Sequence, residues 1–173
     1  DYGFPESHAA SFALLVYLSA WLRCHEPAAF YCGLLNSQPM GFYSPSQLIQ
    51  DARRHQIEVR AVDVQSSYWE STLESAPTLL AADQPAIRLG LQNIKGLSQA
   101  GAERLIQSRE AGSWTSLGAL KQKAQLDQKD LDRLVDSGAC LRLSGHRHQS
   151  HWQASGFAAP PPLFEPLGWA SGD

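Results

Sequence analysis

IKGLSQAGAERLI, from Ile94 to Ile106, places a glycine directly before a strongly helical run. Ser98 carries the short hydroxyl side chain that caps a helix by accepting a backbone N–H. Ala100, Ala102, Leu105 and Ile106 then form an apolar stripe at helical spacing, and Glu103 and Arg104 stay outside it. Gly96 falls where the chain must turn sharply, and glycine reaches such conformations at least steric cost. On the upstream side, AIRLGL alternates Ile87, Leu89 and Leu91 and reads as a strand. LGLQNI can equally begin a short helix, and both readings stay open. On the downstream side, GSWTSLGALKQKA predicts a short helix capped near Thr115 or Ser116. LDQKDLDRLVDSG predicts another, with Asp127 as cap, Leu131, Leu134 and Val135 as stripe and Gly138 as C-terminal stop.

The first half of the chain is also helical in pattern. Ser7 can cap a helix running to about Cys24, apolar on nearly all sides and therefore expected at the centre of its domain. Pro27 suits the first position of the next helix, whose apolar face is Phe30, Leu34 and Leu35. NSQPMGFY is a loop. Ser44-Pro45-Ser46-Gln47 then supplies a cap, a proline and a glutamine at capping-box spacing ahead of Leu48, Ile49 and Ala52. Ile57, Val59, Ala61 and Val64 suggest an extended piece. Residues 66–85 predict a long connection with one short strand. A last helix fits HRHQSHWQ after Ser144, and the proline run from Gly156 onward reads as linker or tail.

Composition narrows the classes. With 43% hydrophobic and 18% charged residues the chain can build a real core, and a net charge of -3 excludes a highly basic nucleic-acid coat while leaving room for local basic spots. Cys24, Cys32 and Cys140 fit neither a disulfide framework nor a zinc knuckle. Cys24 and Cys32 are expected as small buried hydrophobes in a reducing compartment. The apolar run Ala9 to Leu22 has 14 residues, short of the roughly twenty needed to cross a bilayer. The opening DYGFPESHAA has no basic leader and suggests a piece of something longer.

An apolar-x-Gly-apolar turn between two helices is the form of a helix-hairpin-helix motif. Such a hairpin exposes backbone N–H groups near a helix N-terminus, an arrangement that favours a phosphate. Asn93 to Ser98, NIKGLS, is the candidate: Gly96 allows close approach, Ile94 and Leu97 pin the turn, and Lys95 adds a charge. Contact with sugar and phosphate would carry no base preference. The alternative is an ordinary packed corner. SGACLRLSG offers a weaker second hairpin with no clear lysine. At the other end, Ser7 and His8 stand where a helix N-terminus could hold a phosphate or could simply be capped. His146, His148 and His151 lack flanking carboxylates at metal spacing, and the aspartates are scattered, with Asp132 and Asp136 on a charged helix face. No P-loop, nucleophile elbow or HExxH occurs.

The long block YGFPESHAASFALLVYLSAWLRCHEPAAFYCGLLNSQPMGFYSPSQLIQDARRHQIEVRAVDV resembles the late fingers region of bacterial C-family DNA polymerases. It is most similar to their error-prone, damage-induced branch, related to the polymerase III alpha subunit. LGLQNIKGLSQAGAERLI resembles the helix-hairpin-helix that follows the fingers, and SGACLRLSGHRHQSHWQASG the region closing it. Glu6 stands where the replicative branch typically has lysine before the Ser-His pair, which favours the error-prone branch.

The resemblance implies a mainly α fold: a helical fingers segment over residues 1–85, a small helix-hairpin-helix module with a minor β element over 86–155, and a proline-containing linker or tail over 156–173. It implies DNA-templated nucleotidyl transfer and lesion bypass in a cytoplasmic bacterial enzyme. The Mg2+ ions are expected on aspartates of a palm absent from this chain, so no residue here is assigned as catalytic or metal-binding and the chain alone is expected to be inactive. Ser7 and His8 match a motif near the incoming deoxynucleoside triphosphate. Asn93, Lys95, Gly96 and Leu97 match the hairpin that grips duplex primer-template DNA, with Ser98 beside them. A sliding clamp and damage-response accessory proteins are further implied partners, and a membrane is not. The other readings are a stand-alone non-catalytic DNA-binding protein and a fragment of the replicative alpha subunit.

Overall fold

Serine, aspartate and proline set the helix starts. The structure, a computed structural model, describes residues 6–76, 84–112 and 114–144. After α1 (Glu6–His25), α2 (Pro27–Asn36) begins on its proline. α3 (Pro45–Arg54) opens with a full capping box: the Ser44 hydroxyl accepts the Gln47 N–H, and the Gln47 side chain accepts the Ser44 N–H. The side chains of Ser98, Ser116 and Asp127 cap α4 (Gln99–Glu110), α5 (Leu117–Lys123) and α6 (Gln128–Asp136) by accepting the N–H three residues on. The short α7 (Leu141–Ser144) follows. The chain is thus mainly helical. β1 (Val59–Arg60), β2 (Thr72–Glu74) and β3 (Ala86–Arg88) add a small mixed sheet of order β1-β3-β2. β3 runs parallel to β1, with Val59 opposite Ile87, and antiparallel to β2, with Leu73 opposite Ile87. Glu74 clasps the three strands by accepting from Arg60 at 2.6 Å and Arg88 at 2.9 Å.

Buried side chains form two cores, and the sheet joins the first through Ile87. Ala28, Tyr31, Leu35, Leu48, Ala52, Ile57 and Ile87 form the first. The second is larger and spans Val64 to Cys140, with Leu91, Leu105, Trp114, Leu120 and Leu134 fully or almost fully buried. A loop straps the second core to the rest. Arg109 donates to the carbonyls of Val64 and Ser67, the Val64 N–H donates to Ala139, and Arg142 pairs with the buried Asp63.

Several expectations change on contact with this architecture. α1 is not central: Phe12, Leu15, Tyr17 and Trp21 are 45–65% exposed. A helix that is apolar all round needs cover on every side, and among the described residues its main packing partner is α2. Cys24, on the same helix, is exposed for the same reason, whereas Cys32 and Cys140 are buried. Ser7 lies inside the first turn of α1 and not ahead of it. The AIRLGL ambiguity resolves into both readings, because strand β3 stops at Arg88 and a 3-10 turn occupies Leu91–Asn93. Gly90 between them is packed so tightly on the backbone of Trp69–Ser71 that no side chain fits. The expected helix at HRHQSHWQ, its histidines and the tail after Gly156 lie outside the described residues. No described helix is long and apolar enough to cross a membrane.

Candidate nucleic-acid interface

The first hairpin joins the 3-10 turn Leu91–Asn93 to α4. Ile94 and Leu97 are buried in the second core and hold the turn down, while Lys95, Gly96 and Ser98 face outward. Gly96 has φ +83°, a conformation that disfavours any side chain. A methyl group there would also meet the Arg133 side chain at 3.3 Å, so a guanidinium stem from α6 lies across the glycine.

Backbone accounting decides what this turn can bind. The N–H groups of Ile94 and Leu97 donate to Leu91 and Ile94. The Ser98 N–H donates to Asp130 at 3.0 Å, its hydroxyl donates to the same carboxylate at 2.6 Å, and the Gly101 N–H donates to the Ser98 hydroxyl. Asp130 is 2% exposed. An aspartate from α6 therefore already fills part of the α4 N-terminus, and Gly101 is required because any Cβ there would collide with it. Among the described residues, the N–H groups of Lys95, Gly96, Gln99 and Ala100 meet no protein acceptor. These four N–H groups and the Lys95 side chain are the polar groups this turn leaves open for a ligand.

A second hairpin joins α6 to α7, with Gly138 at φ +78°. Here the Ser137, Gly138 and Ala139 N–H groups donate to Arg133, Val135 and Leu134. A cleft of about 520 Å³ is lined by Ile94 and Lys95 of the first hairpin, by Arg133, Asp136 and Ser137 leading into the second, and by Ser46 and Ile49 of α3.

The site residues expected from sequence separate into two groups. Lys95 and Gly96 carry open groups. Asn93 is half-buried and lines the cleft, with its amide donating to the Gly90 carbonyl at 3.0 Å; Leu97 is core, and the Ser98 side chain is the cap. His8 is exposed at the start of α1 with its ring tilted against Phe12, and it is not among the residues lining the hairpin cleft. Asp130 and Arg133 were not singled out by sequence. Glycine costs a helix interior about 1 kcal/mol against alanine, so Gly101 in the first turn of α4 was the available signal of a close approach. Among the described residues no three His, Cys, Asp or Glu side chains gather so as to hold a metal ion.

Paired glycine turns, a shared core and leftover donors at a helix start define a helix-hairpin-helix module of the kind that holds a nucleic-acid backbone. The helix-hairpin-helix motif family matches residues 56–150, more than half of the chain, and the chain belongs to that family. It is also similar to error-prone DNA polymerases. The protein of that name from Methylococcus capsulatus is 51% identical over 178 residues, covering 95% of this chain and 17% of the relative. Those from Azoarcus sp. and Pseudomonas aeruginosa are 54% and 53% identical, over 94% and 95% of this chain and 16% of each relative. The chain is homologous to a segment of these polymerases and spans about a sixth of their length.

Proposed function

We propose that this chain is the part of an error-prone DNA polymerase that supplies late fingers structure and sequence-independent contacts to duplex DNA. The observation that carries the reading is the set of four unpaired N–H groups around Lys95 and Gly96. Their donors suit a phosphate and read no base edge. Lys95 adds one charge, and the net charge of -3 supplies no general attraction. Binding by the isolated chain is therefore weak and salt-sensitive. In the parent protein the primer-template duplex is held here during lesion bypass in the cytoplasm. We assign nucleotidyl transfer and its magnesium to aspartates elsewhere in that protein, together with any contacts to a clamp or accessory proteins. Ser7 and His8 are proposed on the side of the incoming nucleotide.

Lys95→Ala is the test. Fluorescence anisotropy across a salt series should show weaker duplex binding, equal on unrelated sequences, with a salt slope smaller by about 0.9. Equal affinity and slope in a folded variant would remove Lys95 from the interface.

A further inference from the structure

A second cleft lies between α2 and α3, with Arg23 of α1 and Tyr43 of the loop 37–44 at its edges. Its volume is about 470 Å³, and Arg23, Tyr43, Gln50 and Arg54 are among its lining residues. Phe42 and Tyr43 in this loop are 88% and 59% exposed, and Phe42 is the most exposed large hydrophobic residue among those described. The loop is anchored at its end, because the Ser44 capping box fixes the chain immediately after Tyr43. Asp51 is the acidic group in the cleft. It is occupied by the Tyr31 hydroxyl at 2.5 Å and by Arg23 at 3.7 Å. Arg54 makes no hydrogen bond or close ion pair among the described residues; its charge acts on Asp51, and with Arg23 it leaves the cleft with two arginines against one carboxylate on a chain of net charge -3.

Solvent-facing aromatic rings beside arginines are the chemistry of single-stranded nucleic acid. A flat ring stacks an unpaired base of any identity, and a guanidinium takes the adjoining phosphate. A base inside a duplex has both faces covered and cannot use such a ring. We propose that this cleft binds unpaired nucleotides, with a base on Tyr43, a phosphate on Arg54 and Phe42 as an outer stacking surface. This inference rests on the reading that the chain binds DNA. It divides the molecule, since α3 separates a duplex cleft lined by Ser46 and Ile49 from a single-strand cleft lined by Gln50 and Arg54.

The experiment uses the full chain, a labelled oligothymidylate and a labelled duplex. Tyr43→Ala should weaken oligothymidylate binding about tenfold, Tyr43→Phe should restore it, and Arg54→Gln should flatten the single-strand salt slope by about 0.7. Duplex affinity should be unmoved by these changes and reduced by Lys95→Ala. Circular dichroism checks that each variant folds. If Tyr43→Ala and Arg54→Gln bind oligothymidylate as the wild type does, the cleft serves something other than nucleic acid and the inference is overturned. Wild type that binds duplex but no oligothymidylate overturns it equally while sparing the duplex reading. Failure to bind either overturns both.

Discussion

The two hairpins of this chain share a turn and differ in what the turn leaves over. Gly96 and Gly138 both take positive φ, at 83° and 78°. In the second hairpin a full helix, α6, runs into the glycine and closes on itself. Its last carbonyls take the N–H groups of Ser137, Gly138 and Ala139 in a Schellman-type pattern. In the first, only a 3-10 turn precedes the glycine, too short to take the N–H groups of Lys95 and Gly96. Two residues after each glycine the difference is repeated: Ser98 faces outward as a cap, and Cys140 is buried. A glycine makes the corner, and the length of the preceding helix decides whether the corner has donors to offer.

The largest effect expected of this asymmetry is alkaline. Burial pushes the Cys140 thiol up to about 12 from 9.0. A group whose folded pKa is raised contributes stability below the unfolded value, and loses it as pH rises through the folded one. Stability should fall between pH 9 and 12, by up to about 4 kcal/mol for this group. Tyr31, also pushed up to about 12 by burial and by Asp51, adds to the same limb in the other core. Urea titrations of Cys140→Ala should give a shallower alkaline loss than wild type; parallel curves would show that the second hairpin does not bury its thiol.

Asp130→Ala comes next. It removes the carboxylate that ties α6 to the start of α4 and should cost about 2 kcal/mol in denaturant unfolding. Asp132→Ala, on the exposed face of the same helix, should stay within about 0.5 kcal/mol. Equal losses would mean that the first hairpin is not braced from the second. Smaller again is the glycine pair. Gly96→Ala and Gly138→Ala should each cost about 1 kcal/mol through positive φ, with the Arg133 side chain, 3.3 Å from a Cβ at position 96, and Leu141, 3.4 Å from one at position 138, yielding slightly at the ends of flexible side chains. A loss at only one of them would break the equivalence of the turns.

Local chemistry made much of this readable from sequence. The caps at Ser44, Ser98, Ser116 and Asp127 and the stop at Gly138 depend on residues within a few positions of each other. What was not readable depends on distant chain. Whether the apolar α1 is covered is decided by its neighbours, and its sequence specifies only that it is helical and apolar. Asp130 is an unremarkable aspartate until α6 folds against α4, 32 residues away in sequence. Lys95 and Gly96 were legible as a candidate, but the removal of Asn93, Leu97 and the Ser98 side chain from the donor set required the hydrogen bonds themselves.

Amide chemical shifts followed by nuclear magnetic resonance during a duplex DNA titration address the asymmetry directly. The Lys95, Gly96, Gln99 and Ala100 signals should shift together along one saturating curve, while Ser137, Gly138 and Ala139 stay in place. Shifts at the second hairpin with the first unmoved would contradict the assignment of the DNA contact to the open turn.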